Sequence, residues 1–127
     1  MQTFVDYAFY VGTFFGTAIP SSEFAGLALR ASAEIEYQTL YRAGAVITAA
    51  TDTATIADIK LATCAVAEVL KRYDAQLSTP RVIKSESVGD VSRSYSGLEE
   101  ILNQRDSEIM DAFRKYLLVH GLLYRGL

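Results

Sequence analysis

Apolar residues recur every three or four positions along four stretches of this 127-residue chain, with polar residues between them. This spacing is typical of amphipathic helices, and it predicts helices over 3–15, 21–41, 55–78 and 96–120. Three of these helices open on a Ser/Thr-x-x-Asp/Glu motif, whose side chains can pair the backbone N–H groups of a first helical turn. The chain is therefore predicted to be mainly α.

The stripe over 55–78 is the clearest of the four. Its apolar members are Ile59, Ala62, Val66, Val69, Leu70 and Tyr73. Asp58 near its start and Lys71 near its end both match the helix dipole. Its alanines have small side chains, so other elements can approach this helix closely. Cys64 is interpreted as a small core side chain. This helix is predicted to lie at the centre of the core.

Two stretches interrupt the helical pattern. Residues 45–53 are small, rich in Thr and Ala and weakly periodic, so they are predicted to form a connector. The stripe over 96–120 breaks at 103–106, which predicts a turn between two helices.

Residues 81–95 carry β-branched and polar side chains and no helical stripe. Gly89 and Asp90 suit a type II′ turn, and folding about them places Glu86 opposite Arg93. The pattern predicts a protruding loop or β-hairpin. Neither face is apolar enough to cover a core, so a neighbouring molecule is expected to complete this ribbon.

The last seven residues, 121–127, include three leucines and a tyrosine, although a chain terminus is normally polar. A contact at the helix C-cap would account for Leu122 alone. The remaining apolar residues predict an extended C-terminal arm that binds a partner.

Composition and charge exclude several classes of protein. Half of the residues are apolar and 21% are charged, as in a single globular domain. The net charge of -3 disfavours a protein that holds nucleic acid by neutralising phosphates. One Cys excludes an intramolecular disulfide, and one His with one Cys cannot supply a zinc site.

The apolar stretch over 7–19 is shorter than the roughly 20 residues that cross a bilayer, and no basic segment precedes it. The sequence therefore predicts a soluble protein that is cytoplasmic when made, with no membrane partner.

No set of residues in the sequence matches the pattern of a known catalytic site. The single imidazole, His120, lies far in sequence from Cys64, and phosphate-binding glycine motifs are absent. Neighbouring acids such as Glu34 and Glu36, or Glu99 and Glu100, point in different directions on a helix. The chain is predicted not to be an enzyme and to need no cofactor or metal.

Three sets of motifs together resemble the small head-tail connector, or adaptor, proteins of long-tailed bacteriophages. The first is Asp-Tyr-Ala-Phe-Tyr at 6–10, with Phe-Phe-Gly-Thr-Ala-Ile-Pro-Ser-Ser-Glu-Phe at 14–24 and Arg-Ala-Ser at 30–32. The second is Val-Ile-Lys-Ser-Glu-Ser-Val-Gly-Asp at 82–90 with Ser-Tyr at 94–95. The third is Tyr-Leu at 116–117 with Gly-Leu-Leu-Tyr-Arg-Gly at 121–126.

The resemblance implies one domain over 1–127: a small helical bundle with its core at about 3–78 and 96–120, a protruding ribbon at 81–95 and a docking arm at 121–127. In that family, copies form a ring, usually of twelve, beneath the portal protein. The ring extends the DNA channel after packaging and offers a surface to the next connector, stopper or tail protein. DNA passes through without specific binding. Such a protein is found at the head-tail junction of the virion, and in the host cytoplasm during assembly.

The resemblance also assigns roles to residues. The portal-binding residues are expected to be Leu122, Leu123, Tyr124, Arg125 and Leu127. The residues between neighbouring subunits, or lining the channel, are expected to be Lys84, Glu86, Asp90 and Arg93.

Two other classes of function stay open. The first is a small helical binding module or regulator that engages one partner, one-to-one, through its apolar tail. Stoichiometry separates it from a ring adaptor. The second is a hydrolase with unrecognised acids, which ranks last because no groups converge.

Overall fold

The computed structural model describes residues 3–77 and 91–118. The elements are α1 (Tyr7–Gly12), α2 (Ser21–Gln38), α3 (Arg42–Ala49), α4 (Thr53–Leu77) and α5 (Val91–Leu117). Within these two ranges there is no strand. The prediction of a mainly α, small helical bundle is confirmed.

Helix α4 is the centre of the bundle. It packs most extensively against α5, then against α2, and it also contacts α3. Its buried side chains include the whole predicted stripe: Ile59, Ala62, Val66, Val69, Leu70 and Tyr73. Cys64 and Ala67 are buried as well, so small side chains let neighbouring helices approach α4 on more than one side. The predicted role of this helix is confirmed.

Aspartates, not the predicted threonines, cap α1 and α4. Asp6 accepts a hydrogen bond from the Phe9 backbone N–H at 2.8 Å, so α1 begins after Asp6 and not at Thr3. Asp52 accepts from the backbone N–H of Thr55 at 3.1 Å, and its other oxygen accepts from the Thr55 hydroxyl at 2.6 Å. A carboxylate at this position accepts a hydrogen bond from an otherwise unpaired N–H group. Its negative charge is also stabilised by the positive end of the helix dipole.

The predicted connector over 45–53 is wrong in its first half, because α3 occupies Arg42–Ala49. Alanines give this segment a high helix propensity, while Ala43 is its only fully buried residue among the eight. Val46 and Ile47 also pack partly buried against the core, at helical spacing from Ala43, but the helix has only eight residues and so shows this spacing over about two turns.

Helix α5 runs unbroken from Val91 to Leu117, so the predicted turn at 103–106 is wrong. Asn103, Gln104 and Asp106 are exposed on its outer side, and polar residues there interrupt the apolar stripe without interrupting the backbone. Once a helix is nucleated, each added residue gains a backbone hydrogen bond at modest entropic cost.

The same helix corrects the predicted ribbon. Residues 91–95, including Arg93, were predicted as the second strand and belong to the first turns of α5. The helix therefore begins before Ser96, which was the predicted cap. A two-stranded ribbon is marginal in water, whereas these residues continue a helix that packs on α4. The first two-thirds of the predicted ribbon, 81–90, and the predicted arm, 121–127, lie outside the described residues.

The Tyr10 hydroxyl joins α1, the segment that follows it, and α4. It accepts hydrogen bonds from the backbone N–H groups of Ala18 and Ile19, both at 3.0 Å, and donates to Glu68 Oε2 at 2.7 Å. The buried ring packs against Phe14 and Phe24, with centroid separations of 5.8 and 5.0 Å. This side chain therefore joins α1 and the segment that follows it to α4.

This arrangement predicts a loss of stability at alkaline pH. Burial and the hydrogen bond to Glu68 raise the pKa of Tyr10 to about 12, from 10.0. A raised pKa in the folded state stabilises the fold fully below pH 10, and that contribution disappears as the pH rises through 12. We expect the free energy of unfolding to fall more steeply between pH 10 and 12 in the native chain than in Tyr10→Phe.

Urea unfolding at several pH values measures this difference. Burial and the negative charge of Glu68 also raise the pKa of Cys64, to about 12, so both chains should carry Cys64→Ala as a common background. If the free energy of unfolding fell equally with pH in the two chains, the pKa of Tyr10 would not be raised by folding.

Candidate interaction surfaces

Most of the large exposed apolar side chains come from two short segments of the chain. In the described part of the chain, the large exposed apolar residues are Tyr7, Val11, Phe15, Leu29, Tyr37, Leu40, Tyr41 and Leu118. The first three form one group, here named the α1 patch. Tyr37, Leu40 and Tyr41 form the second, here named the corner patch. Clustered apolar exposure of this kind marks surfaces that bind other molecules.

The members of the α1 patch belong to α1 or follow it closely in the chain. Tyr7 and Val11 are one turn apart, and Phe15 follows four residues later, just beyond the end of the helix. Phe15 is 79% exposed, and its backbone is left-handed, with φ at 60°. That conformation costs a non-glycine residue about 1 kcal/mol or more. The chain thus holds a phenylalanine in solvent on an unfavourable backbone.

The corner patch lies where α2 turns into α3. Tyr37, Leu40 and Tyr41 are 71%, 57% and 70% exposed. Leu40 and Tyr41 are consecutive left-handed residues, with φ of 54° and 66°. Three large apolar side chains therefore project from one tight turn, and two of them occupy backbone positions that favour glycine or asparagine.

Hydrogen bonds within the turn hold the corner in this conformation. The Thr39 hydroxyl donates to the Ile35 carbonyl at 2.8 Å and accepts from the Ala43 N–H at 3.2 Å. Glu36 accepts from the Gly44 N–H at 2.7 Å through its side chain. A surface fixed in this way loses little conformational entropy when a partner binds.

The two patches lie at different ends of α2. The ring of Tyr7 packs edge-on against Phe24, near the start of that helix, with 5.5 Å between centroids. The corner patch lies at the other end, beyond Gln38. At 1.5 Å per residue, Phe24 and Gln38 are separated by about 20 Å along the axis. The patches therefore cannot cover one another within one molecule.

A groove of about 500 Å³ between α2 and α4 is a third surface feature. It is lined by Ser22, Glu23, Gly26, Leu27, Arg30, Lys71, Asp74 and Ala75. Two ion pairs cross it: Arg30 binds both carboxylate oxygens of Asp74, and Lys71 pairs with Glu23. Exposed ion pairs of this kind contribute little to stability. Within each pair the opposite charges neutralise one another, so the groove offers no net charge to attract a ligand.

A smaller cleft of about 360 Å³ lies between α2 and α5. Arg105 lines it, and the buried Nε of this side chain has no hydrogen-bond partner. Glu34 and Asp106 line the same cleft, so its acidic residues outnumber its one arginine. An anion would meet repulsion there, and the arrangement defines no ligand.

The groups considered for chemistry are separated in the structure. Cys64 is buried, and its raised pKa of about 12 keeps the thiol protonated at neutral pH. Glu36 binds the corner backbone, whereas Glu99 and Glu100 are exposed on α5. Within residues 3–77 and 91–118, no three His, Cys, Asp or Glu side chains are placed to hold a metal ion. Over the same ranges, no helix has the length and apolar character needed to span a bilayer.

Most residues assigned from the resemblance lie outside the described ranges. These are Lys84, Glu86 and Asp90 of the ribbon, and Leu122, Leu123, Tyr124, Arg125 and Leu127 of the arm. Arg93 lies in the first turn of α5. The roles assigned to these residues therefore stay predictions.

Sequence reasoning missed both patches. The spacing in the helix predicted over 3–15 places Tyr7, Tyr10, Val11 and Phe14 on one apolar side. Tyr10 is buried and Phe14 packs against the core, whereas Tyr7 and Val11 are 37% and 44% exposed. The helix predicted over 21–41 included Leu40 and Tyr41, whereas α2 ends at Gln38 and both residues adopt left-handed backbone in the turn that follows.

Comparison with models of protein families, with curated proteins and with solved structures finds no match to this chain. The resemblance to phage adaptors therefore rests on the motifs quoted above. Any function assigned to the chain rests on its own residues and surfaces.

Proposed function

We propose that this protein is a structural head-tail adaptor of a long-tailed bacteriophage. Copies form a ring beneath the portal protein, extend the DNA channel after packaging and offer a docking surface to the next connector or tail protein. The observation that carries the proposal is the exposure of Phe15 and Tyr41 on left-handed backbone, with further exposed tyrosines nearby in the chain, on a small helical bundle. Such a display suits a protein whose activity is binding other proteins, and the motifs suggest which assembly.

The charge of the chain is compatible with this role. A channel must let DNA move, and a strongly basic lining would bind phosphates and resist that movement. The net charge of -3 and the exposed ion pairs of α2 and α4 offer no such lining.

The C-terminal arm is proposed to bind the portal. Leu118, the last described residue, is 42% exposed, so apolar surface reaches the point where the chain continues toward the arm. Leu122, Leu123 and Tyr124 would extend it, and Arg125 would add a charge-assisted contact. A short apolar segment of this kind can dock in a groove of another protein.

Removing residues 122–127 is expected to abolish portal attachment and to leave the fold intact, because the buried residues of α5 end at Leu117. Native mass spectrometry of the chain mixed with the portal protein encoded beside it measures attachment. Circular dichroism measures folding. A matched control is Arg114→Gln, which removes an exposed charge from α5 and keeps the arm.

Three outcomes separate the possible functions. A ring's worth of copies on the portal, bound only by the chain with its arm, supports the adaptor. A single copy bound to a single partner would replace it with the one-to-one binding module. Loss of helicity on deletion would make the arm part of the core and contradict its docking role.

A further inference from the structure

We propose that the turn between α2 and α3 is a hinge with two conformations. In the first, the bent conformation, α2 ends at Gln38 and α3 packs against α4. In the second, the extended conformation, α2 continues through Tyr41 and α3 unwinds into a connector. The hinge is a property of the free chain and does not depend on the adaptor function.

Backbone strain on both sides of α3 destabilises the bent conformation. Four non-glycine residues in the described part of the chain have a left-handed backbone, and three of them flank α3: Leu40, Tyr41 and Ala50. The Tyr41 N–H donates to the Glu36 carbonyl at 2.8 Å, which places Leu40 at the position after the helix C-cap where glycine normally stands. In the extended conformation Leu40 and Tyr41 become helical, and the strain at both residues is relieved.

Few contacts hold α3 in place against this strain. Ala43 is the one fully buried residue of the helix, and Val46 and Ile47 pack partly buried against the core. The side chain of Glu36 accepts a hydrogen bond from the Gly44 N–H at 2.7 Å. A helix of eight residues is too short to persist without such contacts. Because the contacts are few and the strain opposes them, the two conformations differ little in free energy.

The chain is long enough to reach the extended conformation without moving α4. Continuing α2 through residues 39–41 displaces its end by about 4.5 Å, at 1.5 Å per residue. Unwinding the eight residues of α3 raises the distance that they can span from about 12 Å to about 26 Å. Helix α4 can therefore keep its start at Thr53 and its packing in the core.

The local sequence favours the extended conformation. Hydrophobic spacing predicts a helix over 21–41 and a connector over 45–53, whereas in the bent conformation α2 ends at Gln38 and α3 occupies Arg42–Ala49. Local preference and tertiary packing thus disagree at this turn, and such a conflict brings alternative arrangements closer in free energy. When the contacts of α3 are lost, its residues are free to adopt the conformation that their own spacing predicts.

Chemical-exchange saturation-transfer NMR of the isotope-labelled full chain detects a minor conformation that exchanges on the millisecond timescale. We expect one that is populated at about 0.1–10%. In it, the backbone carbon shifts of Leu40 and Tyr41 should move from left-handed to right-handed helical values. Those of residues 45–49 should move from helical to unfolded values. These opposite changes distinguish the hinge from unfolding of α3 alone.

Two substitutions are expected to shift the minor population in opposite directions. Leu40→Gly relieves the left-handed strain and weakens the continued helix, so the population should fall at least about tenfold. Glu36→Ala removes the acceptor of the Gly44 N–H and should raise the population about tenfold. The control is Ala33→Gly, because Ala33 is exposed in a part of α2 that both conformations share. It introduces the same helix-weakening residue and should leave the population unchanged.

Other results would overturn the proposal. One is the absence of a minor conformation in both the native chain and Glu36→Ala. Another is a minor population that Leu40→Gly leaves unchanged, or that the control lowers as much. Minor-state shifts of Leu40 and Tyr41 that move to unfolded values would show that α3 unfolds without extending α2. Exchange that spreads equally over α2 and α4 would show unfolding of the whole bundle in place of a hinge.

Discussion

Gln104→Pro is expected to lower the free energy of unfolding by about 3 kcal/mol or more. Gln104 is exposed near the middle of α5, so the substitution changes no buried packing. Proline removes one backbone N–H donor and its ring clashes with the preceding turn. Because α5 makes the most extensive contact with α4, a kink at this point would also separate residues on either side from the core.

The same substitution decides between the continuous helix and the turn predicted from the sequence at 103–106. A turn would accept proline at little cost, whereas a helix would not. Gln104→Ala is the matched control, and we expect it to preserve or slightly raise stability. Equal unfolding midpoints in urea for Gln104→Pro and Gln104→Ala would show that the helix is interrupted there.

Gly16→Ala is expected to lower the free energy of unfolding by about 3 kcal/mol, the upper part of the range for inserting a methyl group into packed surroundings. A β-carbon at Gly16 would overlap the ring of Tyr10 at Cε1 and Cζ. Tyr10 has no room to retreat, because its hydroxyl is held by Ile19 and Glu68 and its ring is buried against Phe24.

Gly12→Ala is the control for this effect. Gly12 is the last residue of α1, and a β-carbon there meets nothing within 4 Å. Alanine should therefore be neutral or stabilising by about 0.5–1 kcal/mol, since it restricts the unfolded chain more than glycine does. Equal stabilities of Gly12→Ala and Gly16→Ala in urea would contradict the close approach of Gly16 to Tyr10.

The parts predicted well are those in which burial leaves a regular pattern. The stripe from Ile59 to Tyr73 was identified because α4 has neighbours on several sides and must carry apolar residues along most of its length. Where a helix is only eight residues long, as α3 is, the same method predicted a connector, although Ala43, Val46 and Ile47 keep helical spacing and pack on the core. Where a helix carries a polar outer face, as α5 does at 103–106, it predicted a break.

The surfaces could not be predicted in the same way. Tyr7 and Tyr10 have the same residue type and helical spacing, yet Tyr10 is fully buried and Tyr7 is exposed. The difference depends on the path of the segment after α1, which brings the N–H groups of Ala18 and Ile19 to the Tyr10 hydroxyl. Contacts between residues distant in the chain decide which aromatic residue faces inward.

By itself the sequence determined a mainly α bundle with α4 at its centre, because hydrophobic spacing acts over short distances along the chain. It also carried the motifs on which the adaptor proposal depends. Only the tertiary structure decided that α5 is continuous, that α3 exists, and that Phe15, Leu40 and Tyr41 project into solvent on left-handed backbone. Those features depend on packing and on hydrogen bonds between separate elements, such as Gly44 with Glu36, which no local pattern specifies.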